Sequence, residues 1–96
     1  MPCIQVKTNV STSREKADAI KAALGQAIGF LPGKSEDWLM VAIEDGCHMY
    51  FGGRGGRPIA MVEVKILGSS IDKDGAKRMT GEITRVLGGV LGVSPD

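Results

Sequence analysis

The chain has 96 residues, with 12 basic side chains against 11 acidic ones and a formal net charge of +1, so its electrostatics select neither nucleic acid nor an anionic membrane as partner. Hydrophobic residues make up 43% and aromatics only 4%, which describes one small domain, residues 1–96, with a core of Val, Ile, Leu, Ala and Met that self-association would help to cover. Cys3 and Cys47 lack CxxC spacing and accompanying histidines, and no stretch approaches the roughly eighteen apolar residues of a membrane span; reduced thiols, no metal site and a small-molecule or protein ligand are expected.

Pro2 opens an alternating strand, Pro2-Cys3-Ile4-Gln5-Val6-Lys7-Thr8. Removal of Met1 would leave its ring nitrogen as a free secondary amine, held still by the strand and able to act as a base. With no basic segment and apolar run before it, a cytoplasmic protein is expected, or one secreted without a signal peptide. Thr12-Ser13-Arg14-Glu15 reads as a capping box, and Ala17, Ile20, Ala23, Leu24, Ala27, Ile28 and Leu31 recur at helical spacing until Pro32-Gly33 ends the run. Trp38 to Ile43 is a continuous apolar run, too short for a typical helix, and predicts a strand covered on both faces.

Met49-Tyr50-Phe51 predicts a short strand, followed by the glycine-rich loop Gly52-Gly53-Arg54-Gly55-Gly56-Arg57-Pro58. That loop leads into a strand, whereas phosphate-cradling glycine loops lead into a helix, so it does not read as a nucleotide site. Arg54 and Arg57 are expected to be solvated loop residues. His48 beside Cys47 does not make a nucleophile pair, because neighbours on a strand point to opposite faces. Ile59 to Leu67 predicts the next strand. A second helix starts near Asp72, carries Ala76, Met79, Ile83, Val86, Leu87 and Val90 as its apolar stripe, and ends near Gly92. Strand-helix-strand thus begins twice. The expected fold is α+β, two tandem β-α-β units forming a four-stranded mixed sheet with two antiparallel helices on one face.

Met1-Pro2-Cys3, Thr8-Asn9-Val10, Gly33-Lys34, Met49-Tyr50-Phe51-Gly52-Gly53, Leu67-Gly68 and Leu91-Gly92-Val93-Ser94-Pro95-Asp96 follow one another in an order that resembles the macrophage migration inhibitory factor family of tautomerases. The resemblance implies a homotrimer with a pocket at each subunit interface. It implies that Pro2 is the catalytic proline, that Lys34 binds the substrate's anionic oxygen, that the backbone N–H of Leu67 contacts substrate, and that Trp38 lines the pocket wall. Ile66 stands where the family commonly has serine. Ile59 and Val62 stand where some members have the cysteines of a CxxC, so no thiol-disulfide activity is carried over. Family members ordinarily continue past the Ser94-Pro95-Asp96 position with a further strand and pocket residues, which leaves a more open pocket or a shortened sequence as expectations.

The chemistry expected is keto-enol tautomerisation of a small α-keto or enol acid, of the phenylpyruvate or dopachrome type, with no cofactor. A base near neutrality must take a proton from one atom and return it to another. An ordinary α-amine titrates at roughly 7.7 to 8.0, and desolvation together with the Lys34 charge would lower the value for Pro2. The alternative is a cytokine-like module of the same fold that binds a protein partner with little or no turnover. A methionine left on Pro2 would turn its nitrogen into an amide without basicity and favour that alternative.

Overall fold

Side-chain alternation decides how the first strand sits. In this computed structural model, which describes residues 2–66 and 73–94, β1 (Cys3–Thr8) buries Ile4, Val6 and Thr8 and turns Cys3, Gln5 and Lys7 to the opposite face. β1 is central in a three-stranded sheet of order β2-β1-β3. β2 (Met40–Glu44) runs parallel to it in the register Cys3↔Met40 to Lys7↔Glu44, and β3 (Ala60–Lys65) runs antiparallel from Thr8↔Ala60 to Cys3↔Lys65. Val64, Ile4 and Val41 therefore form one apolar row across the sheet, and Val62, Val6 and Ile43 the next.

Both helices cover that face. Ile20, Leu24 and Ala27 of α1 (Arg14–Ala27) and Met79, Ile83, Leu87 and Leu91 of α2 (Lys73–Leu91) form one core with Ile4 and Val6. Burying each large aliphatic side chain there contributes about 1.5–3 kcal/mol, and this packing holds helices that would be marginal alone. The guanidinium of Arg78 lies 4.7 Å from the ring centre of Phe30 and clips α2 to the 3-10 turn Ile28–Phe30 that directly follows α1.

Ser13, rather than Thr12, caps α1. Its hydroxyl accepts from the Lys16 N–H at 3.2 Å, while the Thr12 N–H and Oγ1 both donate to Asp45 Oδ2, at 2.7 and 3.1 Å. Thr12 is thus engaged by the loop after β2 and the expected box with Glu15 does not form. The helical period also stops short of Leu31, at Ala27. α2 ends as its glycine suggests: Gly92, at φ +74°, turns the chain, its N–H donates to Gly88 O at 3.1 Å, and Val93 N–H donates to Leu87 O at 3.4 Å.

Three strand expectations are corrected. β2 is an edge strand, half-buried only at Val41 and Ile43, with Met40 55% exposed; helices lie on one face of the sheet, so the continuous apolar run is not covered on both. Met49-Tyr50-Phe51 forms no strand. Gly52 and Gly53, at φ +60° and +79°, fold Phe51 onto Arg54 as an isolated bridge, and Pro58 has no N–H for a ladder. The sheet accordingly has three strands among the described residues instead of four, and the return strand that a second complete β-α-β unit needs is not among them. The α+β class, the mixed sheet and the helices on one face stand.

Beyond Glu44 the chain is fastened to β1 by polar side chains. Buried Thr8 donates through Oγ1 to Ile59 O at 2.8 Å and accepts from Val10 N–H at 3.1 Å. Asn9 donates through Nδ2 to Arg57 O at 2.8 Å and accepts from Ile59 N–H at 2.9 Å. These bonds return the chain from the glycine-rich loop in register for β3.

Candidate active site

Parallel pairing builds the site. Because Cys3 is level with Met40, the residue before Cys3 lies beside those before Met40, and the Met40 N–H donates to Pro2 O at 3.0 Å. A crossover helix returns the chain to the end of the sheet where the first strand began, so the loop after α1 closes over Pro2. There Leu31 O accepts from Lys34 N–H at 3.2 Å, Gly33 takes φ +75°, and a single 3-10 turn, Glu36–Trp38, leads into β2.

Pro2, Gly33, Lys34, Ser35 and Trp38 line one cavity of about 180 Å³. Three of the four residues singled out in the sequence thus converge. Pro2 is buried, Lys34 is half-buried, and Trp38 is 67% exposed, on the 3-10 turn rather than on the strand expected there. Leu67, the fourth, lies outside the described residues, as does Met1. The last residue of β3, Lys65, pairs with Cys3, so β3 ends at the Pro2 end of the sheet. Ile66 is half-buried against the core. Gly33 and Ser35 were missed as wall residues; their adjacency to Lys34 in a short loop is the only signal that the sequence carries for them.

The wall offers one cation, one hydroxyl and one aromatic face around a strand-initiating proline. A buried secondary amine facing a lysine would be disfavoured as an ammonium both by desolvation and by like charge. Among the described residues no three His, Cys, Asp or Glu side chains come together as a metal site, and no helix is long and apolar enough to cross a membrane. Cys47 is set apart: burial pushes its thiol up, and the Glu44 carboxylate beside its Sγ acts in the same direction. His48 is exposed, and nothing described joins it to Cys47 in a reactive pair.

A larger cavity, about 340 Å³, separates β3 from α2 and is lined by Val62, Val64, Met79, Ile83 and Leu87 with Arg57 at its polar side. Arg57 is its one charged residue, and a guanidinium offers donors only, with no site to accept a proton from substrate. Size alone would favour this cavity, but proton transfer needs a group that can lose and regain its proton, so the Pro2 cavity is the better candidate.

No curated protein matches the chain. Among solved structures, Leishmania major MIF2 is 29% identical with a TM-score of 0.88, the match covering 99% of this chain and 80% of that one. Macrophage migration inhibitory factor from Giardia lamblia (24% identity, TM-score 0.78, 98% of this chain and 89% of that one) and a homologue from Prochlorococcus marinus (22%, 0.77, 98% and 80%) share the fold. The family model for macrophage migration inhibitory factor matches residues 1–96. With its mixed sheet, paired helices and proline at the strand start, the chain belongs to the macrophage migration inhibitory factor family.

Proposed function

We propose that the protein, once Met1 is removed, is a cofactor-independent keto-enol tautomerase for small α-keto or enol acids, phenylpyruvate and dopachrome being suitable test compounds. The observation that carries this reading is the convergence of Pro2, Lys34 and Trp38 on one cavity. Family membership alone would not be enough, since one fold hosts many activities.

In the proposed reaction the Pro2 nitrogen, resting as the free base, takes a proton from the carbon next to the carbonyl. Electrons of the broken C–H bond move into the new C=C bond, and charge gathers on the carbonyl oxygen. Lys34 holds that oxygen or the substrate carboxylate, with the Leu67 N–H as a second donor, and the proline ammonium then returns its proton to oxygen. Trp38 supplies an apolar face for the substrate side chain. The assembly proposed is a homotrimer, which would cover the exposed Trp38, Met40 and Met61.

Phenylpyruvate tautomerisation by processed protein tests the reading against Pro2→Gly and against protein that keeps Met1. The processed form should exceed both by about a hundredfold or more, the usual contribution of a positioned base. Equal rates in all three would remove the proline from the mechanism.

The exposure of Trp38 and Met40 beside the cavity supports a second reading, a cytokine-like module whose partner covers that apolar patch without turnover. Intact mass separates the two, since native protein retaining its methionine favours the binding module.

A further inference from the structure

The cavity wall from Gly33 to Trp38 has few ties to the rest of the molecule. Between residues 32 and 38 its described backbone bonds are local ones, Lys34 N–H to Leu31 O and Trp38 N–H to Ser35 O, and the next, Leu39 N–H, returns to Glu36 O. Among the described hydrogen bonds and ion pairs, one side chain reaches across to α1. Glu36 Oε2 lies 3.4 Å from Lys21 Nζ, and the same carboxylate rests on Gly25, one turn further along that helix face. A Cβ placed at Gly25 would stand inside contact distance of Glu36 Oε2 and Cδ and 3.0 Å from its Cγ. Mid-helix glycine is poor helix chemistry, and here its missing side chain makes the notch that the carboxylate occupies.

We propose that Glu36, seated between Lys21 and the Gly25 notch, is the positioning residue that fixes the Lys34–Trp38 wall over Pro2. Its link to catalysis rests on the tautomerase reading; its link to the wall does not. Glu36 touches no reacting atom. It limits where Lys34 and Trp38 stand, so its loss falls on substrate binding before it falls on proton transfer. The contact is half-exposed and its effect is of the order seen for exposed ion pairs, about two- to fivefold in affinity.

The experiment compares wild type with Gly25→Ala, Glu36→Ala and the double variant. Trp38, the only tryptophan, reports the wall through its fluorescence anisotropy whether or not the protein turns over. Gly25→Ala should favour the helix yet lower Trp38 anisotropy and raise KM for phenylpyruvate about two- to fivefold with kcat little changed. Glu36→Ala should do the same without touching α1, which keeps the test intact if the alanine at 25 disturbs the fold. The double variant should match Glu36→Ala, because an alanine at 25 has nothing left to displace. Molar salt should lower Trp38 anisotropy in wild type and leave that of Glu36→Ala unmoved. Wild-type anisotropy in Gly25→Ala or Glu36→Ala, or losses that multiply in the double variant, would overturn the inference. A wild-type protein without turnover would end the tautomerase reading while the anisotropy comparison still decides this one.

Discussion

Replacing Lys34 by methionine keeps most of the stem and deletes the charge, and its consequence for Pro2 can be calculated. Both residues line a cavity of about 180 Å³, and roughly 7 Å serves as an order of magnitude for the spacing of two charges in a space that small. Two unit charges at that separation repel by about 2.4 kcal/mol at an effective dielectric constant of 20 and about 0.6 kcal/mol in bulk water. Half-buried Lys34 falls between these limits. Its charge therefore lowers the pKa of the Pro2 ammonium, the direction that keeps the amine free at neutral pH. In processed Lys34→Met the acid limb of the kcat/KM profile for phenylpyruvate should therefore move to higher pH. The plateau should also drop, because the developing oxyanion loses its cation. A lower plateau with an unmoved acid limb would mean that Lys34 meets the substrate but not the proline. A profile identical to wild type would refute the shared-site reasoning.

Asp45 gives a pH-dependent stability. The Thr12 N–H, then its hydroxyl, hold the carboxyl below its ordinary range, so its contribution is present above the unfolded pKa and is lost as pH falls through the lower folded value. Wild type should thus exceed Asp45→Ala in urea melts near pH 7, and the two should converge below about pH 4; an unchanging gap would show that the carboxylate is not responsible. Thr8→Val should cost about 1–3 kcal/mol in the same assay, since Val10 N–H loses its acceptor, and Thr8→Ser, which keeps the hydroxyl, should lose less. Equal losses for valine and serine would assign the effect to packing.

Elements with a sustained period were legible. The stripe from Ala17 to Ala27 and that from Ala76 to Val90 mark α1 and α2 because a helix repeats its buried face every three to four residues, and Gly92 marks the end because its φ is closed to most side chains. The site was legible only through the family resemblance, which named Pro2, Lys34 and Trp38; the crossover of α1 between parallel strands gives the physical reason that the three share one cavity. Less was visible where the deciding contact is distant in sequence. Asp45 takes the Thr12 hydroxyl from the expected cap, and an apolar run cannot say whether a second layer covers its other face. Glu36 on Gly25 leaves no pattern, since a glycine in a helix looks like a defect until its neighbour is seen.

The register of β1 with β2 also separates the molecule into two working ends. Pro2, Lys34 and Trp38 gather where those strands begin, and the Gly52–Gly56 loop lies past the opposite end, about 17–20 Å away by the length of a typical strand. An affinity tag or fluorophore belongs in that distal loop. The same label fused ahead of Pro2 would acylate the nitrogen on which the proposed turnover depends, so preparations carrying an uncleaved leader should be silent however well they fold.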